Sequence, residues 1–225
     1  MPDSTPSTEA RSARGMRPGR RRAKARPGSR AAKKAERLHF LKAFLRKPMT
    51  MGAACPSSPS LARAMLQDCD LRSAEVVVEL GPGTGAFTRP ILDRIGPRTL
   101  FLALEVDQTC VARLRGELEG VVVYHDSAER LLHYLTRHGR EQADYVISGL
   151  PWTNMRPQVQ DRILNAVIQC LRPKGVFTTF AYAHAYWLPT AMRFRKRLRQ
   201  HFGSVRTSRL VWRNLPPAYV YRCRR

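Results

Sequence analysis

The sequence predicts an α/β protein built on a doubly wound, seven-stranded, mostly parallel sheet that ends in an antiparallel hairpin. From residue 71 onward, short apolar segments alternate with helical segments of about 10–15 residues, which is typical of βαβ units. The last two apolar segments are separated only by residues 213–217, which include Asn214-Leu215-Pro216-Pro217. Because no helix fits into that connection, the final two strands are expected to pair antiparallel.

Each predicted element follows from its local pattern. Apolar, β-branched composition predicts strands at 75–80, 99–106, 120–125, 143–148, 175–181, 204–212 and 218–221. Helical periodicity predicts helices at 61–68, 86–95, 107–118, 127–138, 157–171 and 188–201. No run reaches the roughly 18 consecutive apolar residues of a membrane span, so a transmembrane protein is not expected.

The charge is strongly basic and lies at the two ends of the chain. The protein has 40 Lys and Arg against 17 Asp and Glu, a net charge of +23. Residues 1–35 contain 11 basic and 2 acidic residues, and residues 191–225 contain 11 basic and no acidic residue. Cationic ends predict a polyanionic partner, either a nucleic acid or an anionic membrane surface, and composition does not choose between them.

Three regions are predicted along the chain. Residues 1–34 have the composition of a disordered basic tail, although an Arg-rich transit peptide is an alternative. Residues 35–70 hold an amphipathic helix, which Pro48 ends, and a Pro/Ser-rich segment. That helix either lies in a membrane interface or packs on the protein's own core. Residues 71–225 form the α/β domain.

The five cysteines are scattered and show no C-x-x-C spacing. This distribution argues against a disulfide framework and against structural zinc, so no metal site is predicted. The N-terminus has no apolar segment of the secretory type. Together these features favour the reducing cytoplasm.

A glycine-rich turn follows the first strand. Residues 76–85 read Val-Val-Val-Glu-Leu-Gly-Pro-Gly-Thr-Gly, and a helix is predicted to open directly afterwards. Such glycines let the backbone approach a ligand closely. Their G-x-G-x-G spacing differs from the G-x-G-x-x-G of dinucleotide folds. The cofactor-binding residues predicted here are Glu79, Gly81, Gly83 and Gly85.

Polar residues end the next strands at the same edge of the sheet. Glu105 ends the second strand, where a carboxylate can accept both ribose hydroxyls of a nucleoside. Asp126 and Ser127 end the third strand, and Asp126 could accept a hydrogen bond from an adenine amino group. Ser148, Gly149 and Leu150 follow the fourth strand. The set predicts S-adenosylmethionine as the cofactor, in preference to NAD.

Residues 80–85, Leu-Gly-Pro-Gly-Thr-Gly, together with Glu105 resemble the ribosomal RNA adenine dimethyltransferases. That family places Asn-Leu-Pro-Tyr after the fourth strand, where the Asn amide holds the target adenine. Here the segment is Gly149-Leu150-Pro151-Trp152, so the amide is missing. Residues 1–225 are also not expected to include the helical domain that this family carries beyond its sheet.

A second resemblance runs from about residue 36 to the C-terminus. Residues 44–48 (Phe-Leu-Arg-Lys-Pro), 52–58 (Gly-Ala-Ala-Cys-Pro-Ser-Ser) and 148–151 (Ser-Gly-Leu-Pro) resemble the bacterial phospholipid N-methyltransferases. Those enzymes convert phosphatidylethanolamine stepwise towards phosphatidylcholine. The resemblance implies a class I, Rossmann-like methyltransferase domain, and a helix ahead of the Pro-Ser-Ser segment that lies on the membrane.

Candidate catalytic residues surround the predicted acceptor position. Tyr182 and His184 end the fifth strand and could accept a proton from an attacking amine, although aromatic residues there are more often core. Trp152 could offer a π-face to a methylated ammonium or form a lid on the cofactor. Ser57 and Ser58 could bind the methionine carboxylate or cap the following helix.

The function expected from these observations is S-adenosylmethionine-dependent N-methylation of aminophospholipid head groups. The enzyme would be cytoplasmic and peripheral on the inner face of the membrane, with the anionic surface and the phospholipid as partners. The alternative is an rRNA adenine N6-methyltransferase with RNA as its partner. A third possibility is a non-catalytic cofactor-binding or membrane-docking protein. The basic face of the helix at 188–201 suits lipid phosphates, RNA or plain solvent.

Overall fold

The computed structural model describes residues 57–225. The predicted tail 1–34, the amphipathic helix and the Pro/Ser segment up to residue 56 lie outside the described residues. The strands are β1 (Val76–Leu80), β2 (Leu100–Glu105), β3 (Val123–His125), β4 (Ala143–Ser148), β5 (Leu171–Tyr182), β6 (Ser204–Thr207) and β7 (Ala218–Arg224). The α-helices are α1 (Pro59–Met65), α2 (Thr88–Leu92), α3 (Gln108–Glu117), α4 (Leu131–Arg137), α5 (Pro157–Cys170) and α6 (Pro189–His201).

The strands form one sheet in the order β3-β2-β1-β4-β5-β7-β6. β7 pairs antiparallel with both β5 and β6, whereas the pairings among β1 to β5 are parallel. This arrangement confirms the predicted fold class. β6 lies at the edge of the sheet, and β7 lies between β5 and β6. The last strand of the chain therefore pairs with a neighbouring strand on each side.

The central strands are apolar because both faces of the sheet are covered. All five residues of β1 are buried. Val76 and Val78 join the cluster on one face, and Val77 joins the cluster on the other, as the two-residue period of a strand requires. This double burial explains why the parallel strands read as continuous apolar runs.

α1 belongs to the same core as the sheet. Ser58 is its N-cap, since its hydroxyl accepts a hydrogen bond from the Leu61 amide at 3.1 Å. Leu61 and Met65 are fully buried, and the helix packs on β5 and β7. The chain therefore enters the described fold through a capped helix that is anchored on the antiparallel part of the sheet.

The predicted strand boundaries differ most from the structure in β5 and β6, while β3 begins three residues later and β7 ends three residues later than predicted. β5 begins at Leu171, which pairs with Ala143, and the regular register starts with the pair Tyr145 and Val176. The chain advances two residues along β4 and five along β5 between these pairs, so β5 bulges here. The Pro173-Lys174-Gly175 sequence is typical of a turn, so the sequence pattern does not indicate this early start. β6 ends at Thr207, and beyond it Val211 forms an isolated bridge with Ala218.

Within residues 57–225, no helix has the length and apolar content needed to cross a bilayer.

Candidate active site

The loop after β1 has a backbone that only glycine adopts readily. Gly81, Gly83 and Gly85 have φ angles of 69°, 52° and 80°. The loop also touches the end of β4, because a Cβ on Gly149 would lie 2.5 Å from the Gly81 carbonyl oxygen. A Cβ on Gly81 would lie 2.6 Å from a methyl carbon of Leu150. The contact at Gly149 is with backbone, so the two loops approach each other more closely than a side chain at this position would allow.

Glu105 fixes the glycine loop to the end of β2. Its Oε2 accepts a hydrogen bond from the Gly83 amide at 2.9 Å, and its Oε1 accepts one from the Asp107 amide at 3.0 Å. The side chain is nearly buried. A carboxylate has about four lone-pair sites, so this one retains acceptor capacity for the two hydroxyls of a ribose.

Glu79 lies beneath the glycine loop with no water contact. Neither of its carboxylate oxygens makes a hydrogen bond of ordinary geometry, and the nearby Thr88 hydroxyl is also buried without one. Burial raises the pKa of Glu79 to about 8, against a smaller lowering by Thr88. The group is therefore protonated at neutral pH, with a proton to donate to a ligand in the loop.

Asp126 joins the site through the backbone, because its amide donates to the Glu105 carbonyl at 3.0 Å. Its two carboxylate oxygens accept hydrogen bonds from the Tyr134 hydroxyl at 2.8 Å and the Ser127 amide at 2.7 Å. The hydrogen bond from Tyr134 is the main cause that lowers the pKa of Asp126. Ser127 caps the short helical turn that follows. Asp126 is thus an ionised, rigidly held acceptor.

Ser148 and Trp152 form a buried pair. The Ser148 hydroxyl accepts hydrogen bonds from the Trp152 indole at 3.0 Å and from the Leu150 amide at 3.3 Å. Trp152 is 1% exposed, and its ring stacks on Phe194 with centroids 4.8 Å apart. The pair braces the loop after β4 from inside. Trp152 is therefore a core residue in this structure, and its contact with a methylated ammonium stays a prediction that this packing does not favour.

Four aromatic rings connect the glycine loop to the end of β5. The centroids of Phe87 and Phe180 lie 5.9 Å apart, those of Phe180 and Tyr182 lie 5.5 Å apart, and those of Tyr182 and His184 lie 5.7 Å apart. Phe87 also approaches Gly149, whose added Cβ would lie 3.6 Å from its ring. This series of rings brings both predicted bases, Tyr182 and His184, into one wall of the site.

Partial burial lowers the pKa of His184 from its ordinary value of 6.5. The imidazole is therefore neutral at pH 7 and has a nitrogen lone pair that can accept a proton. His184 is nevertheless exposed, at the open end of the aromatic wall.

Ser58 is buried, and its amide donates to the side-chain oxygen of Asn214 at 2.9 Å. Asn214 is buried too and donates to the Pro216 carbonyl at 2.7 Å. The Ser58 hydroxyl caps α1, as one of the two predicted alternatives requires. Ser57, next to it, is half-buried. The contact of either serine with a methionine carboxylate stays a prediction.

Sequence reasoning missed three residues that shape the site: Phe87, Phe180 and Asn214. Phe87 follows the glycine loop and Phe180 lies within β5, so both read as ordinary core positions. Asn214 stands beside Leu-Pro-Pro and reads as a turn residue. The predicted topology could have indicated Phe180, because β4 and β5 are neighbours in a sheet of this type and side chains near their ends share one cleft.

The donors at this edge of the sheet fit S-adenosylmethionine. The three glycines of the loop have positive φ angles, Glu105 has spare acceptor capacity, and the buried Glu79 carboxyl has no ordinary hydrogen-bond partner. Within residues 57–225, no group of three or more His, Cys, Asp or Glu side chains could hold a metal ion.

Comparisons with known proteins agree with this geometry. No protein-family model matches the chain. An ornithine lipid N-methyltransferase from Singulisphaera acidiphila is 34% identical over 188 residues, which cover 82% of this chain and 94% of that protein. A ribosomal RNA small subunit methyltransferase A from Laribacter hongkongensis is 36% identical over 90 residues, which cover 39% of this chain and 32% of that protein. Both predicted resemblances are thereby confirmed, and the lipid enzyme matches over far more of the chain.

Solved structures confirm the fold. A precorrin-6y methyltransferase from Geobacter metallireducens has a TM-score of 0.55 at 16% identity and covers 73% of this chain and 87% of its own. A T. thermophilus 16S rRNA methyltransferase in complex with AdoMet and guanosine has a TM-score of 0.53 at 20% identity. The match covers 75% of this chain and 43% of the other. The chain is an S-adenosylmethionine-dependent class I methyltransferase, and it belongs to the family of the ornithine lipid N-methyltransferase of Singulisphaera acidiphila.

Proposed function

We propose that this enzyme methylates the amino nitrogen of a membrane lipid head group. The observation that carries the proposal is the 34% identity to a lipid N-methyltransferase along 94% of that protein. Its name makes ornithine lipid the first acceptor to test. Phosphatidylethanolamine, the acceptor expected from the sequence, is the second.

The chemistry requires few groups from the protein. S-adenosylmethionine, when bound, supplies a methyl group on a positively charged sulfur. Glu105 and the glycine loop would hold the nucleoside, and Asp126 would accept from the adenine amino group. Positioning donor and acceptor in line supplies most of the acceleration, because a fixed geometry removes the entropy cost of encounter.

An amine attacks only after it has lost a proton, so a base at the acceptor position accelerates transfer. His184 is neutral at pH 7, because partial burial lowers its pKa, and it lies at the open end of the aromatic wall. In this proposal His184 takes the ammonium proton, directly or through a water. Tyr182 orients the imidazole by stacking on it at 5.7 Å between centroids.

Action on a lipid places the enzyme at a bilayer, and the charge distribution supports this location. Residues 191–225 hold 11 basic and no acidic residue. Anionic lipids attract each basic side chain near the surface by about 1 kcal/mol. We therefore place the protein in the cytoplasm, peripherally bound to the inner face of the membrane.

The rRNA alternative is less well supported by the end of β4. The adenine dimethyltransferases use an Asn where this chain has Gly149, and a Cβ there would lie 2.5 Å from the Gly81 carbonyl oxygen. This backbone therefore has no room for the amide side chain that would hold an adenine.

The test follows label from radioactive S-adenosylmethionine into three acceptors offered separately. They are ornithine lipid and phosphatidylethanolamine, each in neutral detergent micelles, and ribosomal RNA. Micelles remove the need to bind a vesicle, so the assay reports on acceptor chemistry alone. We expect label in at least one lipid and none in RNA.

Label in RNA and in neither lipid would contradict the proposal. A Glu105→Ala variant is the negative control, because its weaker cofactor binding should lower the label when S-adenosylmethionine is below saturation. Mass spectrometry of the product lipid counts the methyl groups transferred.

A further inference from the structure

Large apolar side chains are exposed beside the acceptor end of the sheet. Within residues 57–225, the exposed large hydrophobic residues are Val106, Trp187, Leu188, Met192, Trp212 and Leu215. Trp187 is 78% exposed and Trp212 is 72% exposed, which is unusual for the largest apolar side chain. Apart from Val106, all of these residues lie on the two segments that flank the end of β5.

Contacts between the two segments bring them together. The Ala183 amide donates to the Pro217 carbonyl at 2.7 Å, and the rings of Tyr186 and Tyr219 lie 4.9 Å apart. Ala218 pairs with Tyr182 on one side and forms the isolated bridge with Val211 on the other. Trp187 and Trp212 are therefore each one residue from a position that is fixed in the same small region.

Both tryptophans stand on rigid turns. The Arg195 guanidinium covers the Tyr186 ring at 3.7 Å and donates to the Tyr186 carbonyl at 2.7 Å, which holds the backbone next to Trp187. The buried Asn214 holds the backbone beside Trp212. Since both supports are well bonded, the exposure of the indoles does not come from a loose loop. It is built into the fold.

Basic residues surround the apolar cluster. On α6, Phe194 and Leu198 face the core, whereas Met192, Lys196 and Arg199 are exposed at the i, i+4 and i+7 positions of one stripe. The stripe is apolar at its start beside Trp187 and basic along the rest of the helix. Arg193 next to Met192 and Arg213 next to Trp212 are exposed as well.

We propose that Trp187, Leu188, Met192 and Trp212 insert into the interface of an anionic bilayer, and that Arg193 and Arg213 bind the surrounding lipid head groups. Tryptophan favours the boundary between acyl chains and head groups, where its ring is buried and its N–H stays wet. Basic side chains beside such a patch add attraction to anionic lipid. This docking surface adjoins the aromatic wall, so a lipid amine enters the site directly from the membrane.

The docking surface rests on the proposed function, because it specifies where the lipid comes from. It is also independent of residues 1–56, because all its members lie in the described fold. Val106, at the opposite flank of the cofactor loop, is outside it.

The test uses the full chain and vesicles of phosphatidylcholine with phosphatidylglycerol, followed by sedimentation. Replacing both exposed tryptophans (W187A/W212A) should weaken the partition coefficient by about tenfold or more, since each indole loses its apolar burial. The conservative W187F/W212F protein should recover much of the binding. Removing two charges (R193A/R213A) should weaken binding by about tenfold on anionic vesicles and little on pure phosphatidylcholine.

A matched control removes two exposed arginines at the amino ends of β1 and β2 (R72A/R98A). It changes the net charge equally but lies at the opposite edge of the sheet, so vesicle binding should stay near wild type. Calorimetry with S-adenosylmethionine shows that each variant is folded. Lipids with brominated chains should quench the wild-type fluorescence through Trp187 and Trp212, because Trp152 is buried.

The docking surface would be overturned by no binding of the wild type to anionic vesicles, by unchanged binding of W187A/W212A, or by an equal loss in R72A/R98A. A loss of RNA binding in W187A/W212A with lipid binding unchanged would assign the surface to nucleic acid instead, and would also overturn it. Failure of the proposed function looks different: vesicle binding through the tryptophans would persist while no label enters a lipid in micelles.

Discussion

The carboxylate of Glu105 accepts a hydrogen bond from the Gly83 amide at 2.9 Å and thereby ties the end of β2 to the loop after β1. Gly83 has a φ of 52°, a left-handed conformation that glycine adopts readily. The glycine loop is therefore held in place by the residue that is expected to bind the ribose. Binding and loop geometry depend on one side chain.

Replacing Glu105 with Ala should weaken S-adenosylmethionine binding by tenfold to a hundredfold. Hydrogen bonds to a charged group contribute about 1.5–3 kcal/mol, and the variant also frees the Gly83 amide. Isothermal calorimetry measures the change. A Glu119→Ala variant removes an exposed carboxylate elsewhere and should bind normally. Equal affinities for the wild type and Glu105→Ala would exclude the ribose role.

A methyl group at Gly149 should disturb the site, because its Cβ would lie 2.5 Å from the Gly81 carbonyl oxygen. We expect Gly149→Ala to lower the free energy of unfolding by about 1–3 kcal/mol, the usual cost of overpacking. Cofactor affinity should fall with it, since the glycine loop must move.

Gly116 provides the matched control for Gly149. It lies in α3, and an added Cβ would meet nothing within 4 Å. Gly116→Ala should therefore stabilise the protein by up to about 1 kcal/mol through helix propensity. Denaturant unfolding compares both variants, and a stable Gly149→Ala with normal cofactor affinity would show that the two loops do not pack as described.

The fold was predictable because burial imposes a simple pattern. All five residues of β1 are buried, and four of them are apolar, as a doubly covered strand needs. The exception is Glu79. The antiparallel β7 followed from the absence of a helix after β6. The start of β5 was not predictable, because the bulge that pairs Leu171 with Ala143 depends on a neighbouring strand.

In the candidate site, the conformation of the glycines was predictable because backbone geometry restricts the residue type, and the packing contacts were less so. Glycines with positive φ stand where the sequence placed the cofactor loop. Ser148 and Trp152 read as site residues, but they hydrogen-bond to each other in the core. Nothing in the local sequence indicates the role of Asn214, because its hydrogen-bond partner Ser58 lies 156 positions away in sequence.

The hydrogen bond between Trp152 and Ser148 should make their substitutions non-additive. Ser148→Ala leaves a buried indole N–H without its acceptor and should cost about 1–3 kcal/mol of unfolding free energy. Trp152→Phe should cost a comparable amount. The double variant should cost less than the sum, with a coupling of about 0.5–3 kcal/mol. Urea unfolding of the four proteins measures this cycle, and strict additivity would show that the bond contributes nothing.

The stability of the protein without cofactor should depend on pH through Glu79. Burial raises the pKa of Glu79 from 4.5 to about 8. Between these values the folded protein holds a proton that the unfolded chain has lost. The stabilisation is complete below pH 4.5 and is lost as the pH rises through about 8. The slope is at most about 1.4 kcal/mol per pH unit.

Glu79→Gln removes this titration and keeps the shape of the side chain. The difference in unfolding free energy between wild type and variant should therefore change across the window from pH 4.5 to 8. Denaturant unfolding at a series of pH values measures it. Parallel pH curves for the two proteins would mean that Glu79 is already ionised in the fold.

The acid side of the pH–rate profile should report on His184. The imidazole accepts a proton only when neutral, and partial burial lowers its pKa from 6.5. Activity with a lipid amine should therefore be retained at pH 6.5 and be lost as the pH falls through the His184 pKa. His184→Gln should remove this acid limb and lower kcat by about a hundredfold or more, the usual contribution of a general base.

A Tyr182→Phe variant distinguishes the role of His184 as a base from the role of Tyr182 in the aromatic wall. The ring contact with His184 at 5.7 Å survives this change, so the acid limb and most of kcat should survive as well. Cofactor affinity should stay normal in both variants, because neither residue belongs to the glycine loop. If His184→Gln instead keeps the wild-type profile, the amine loses its proton to solvent, and His184 only completes the aromatic wall.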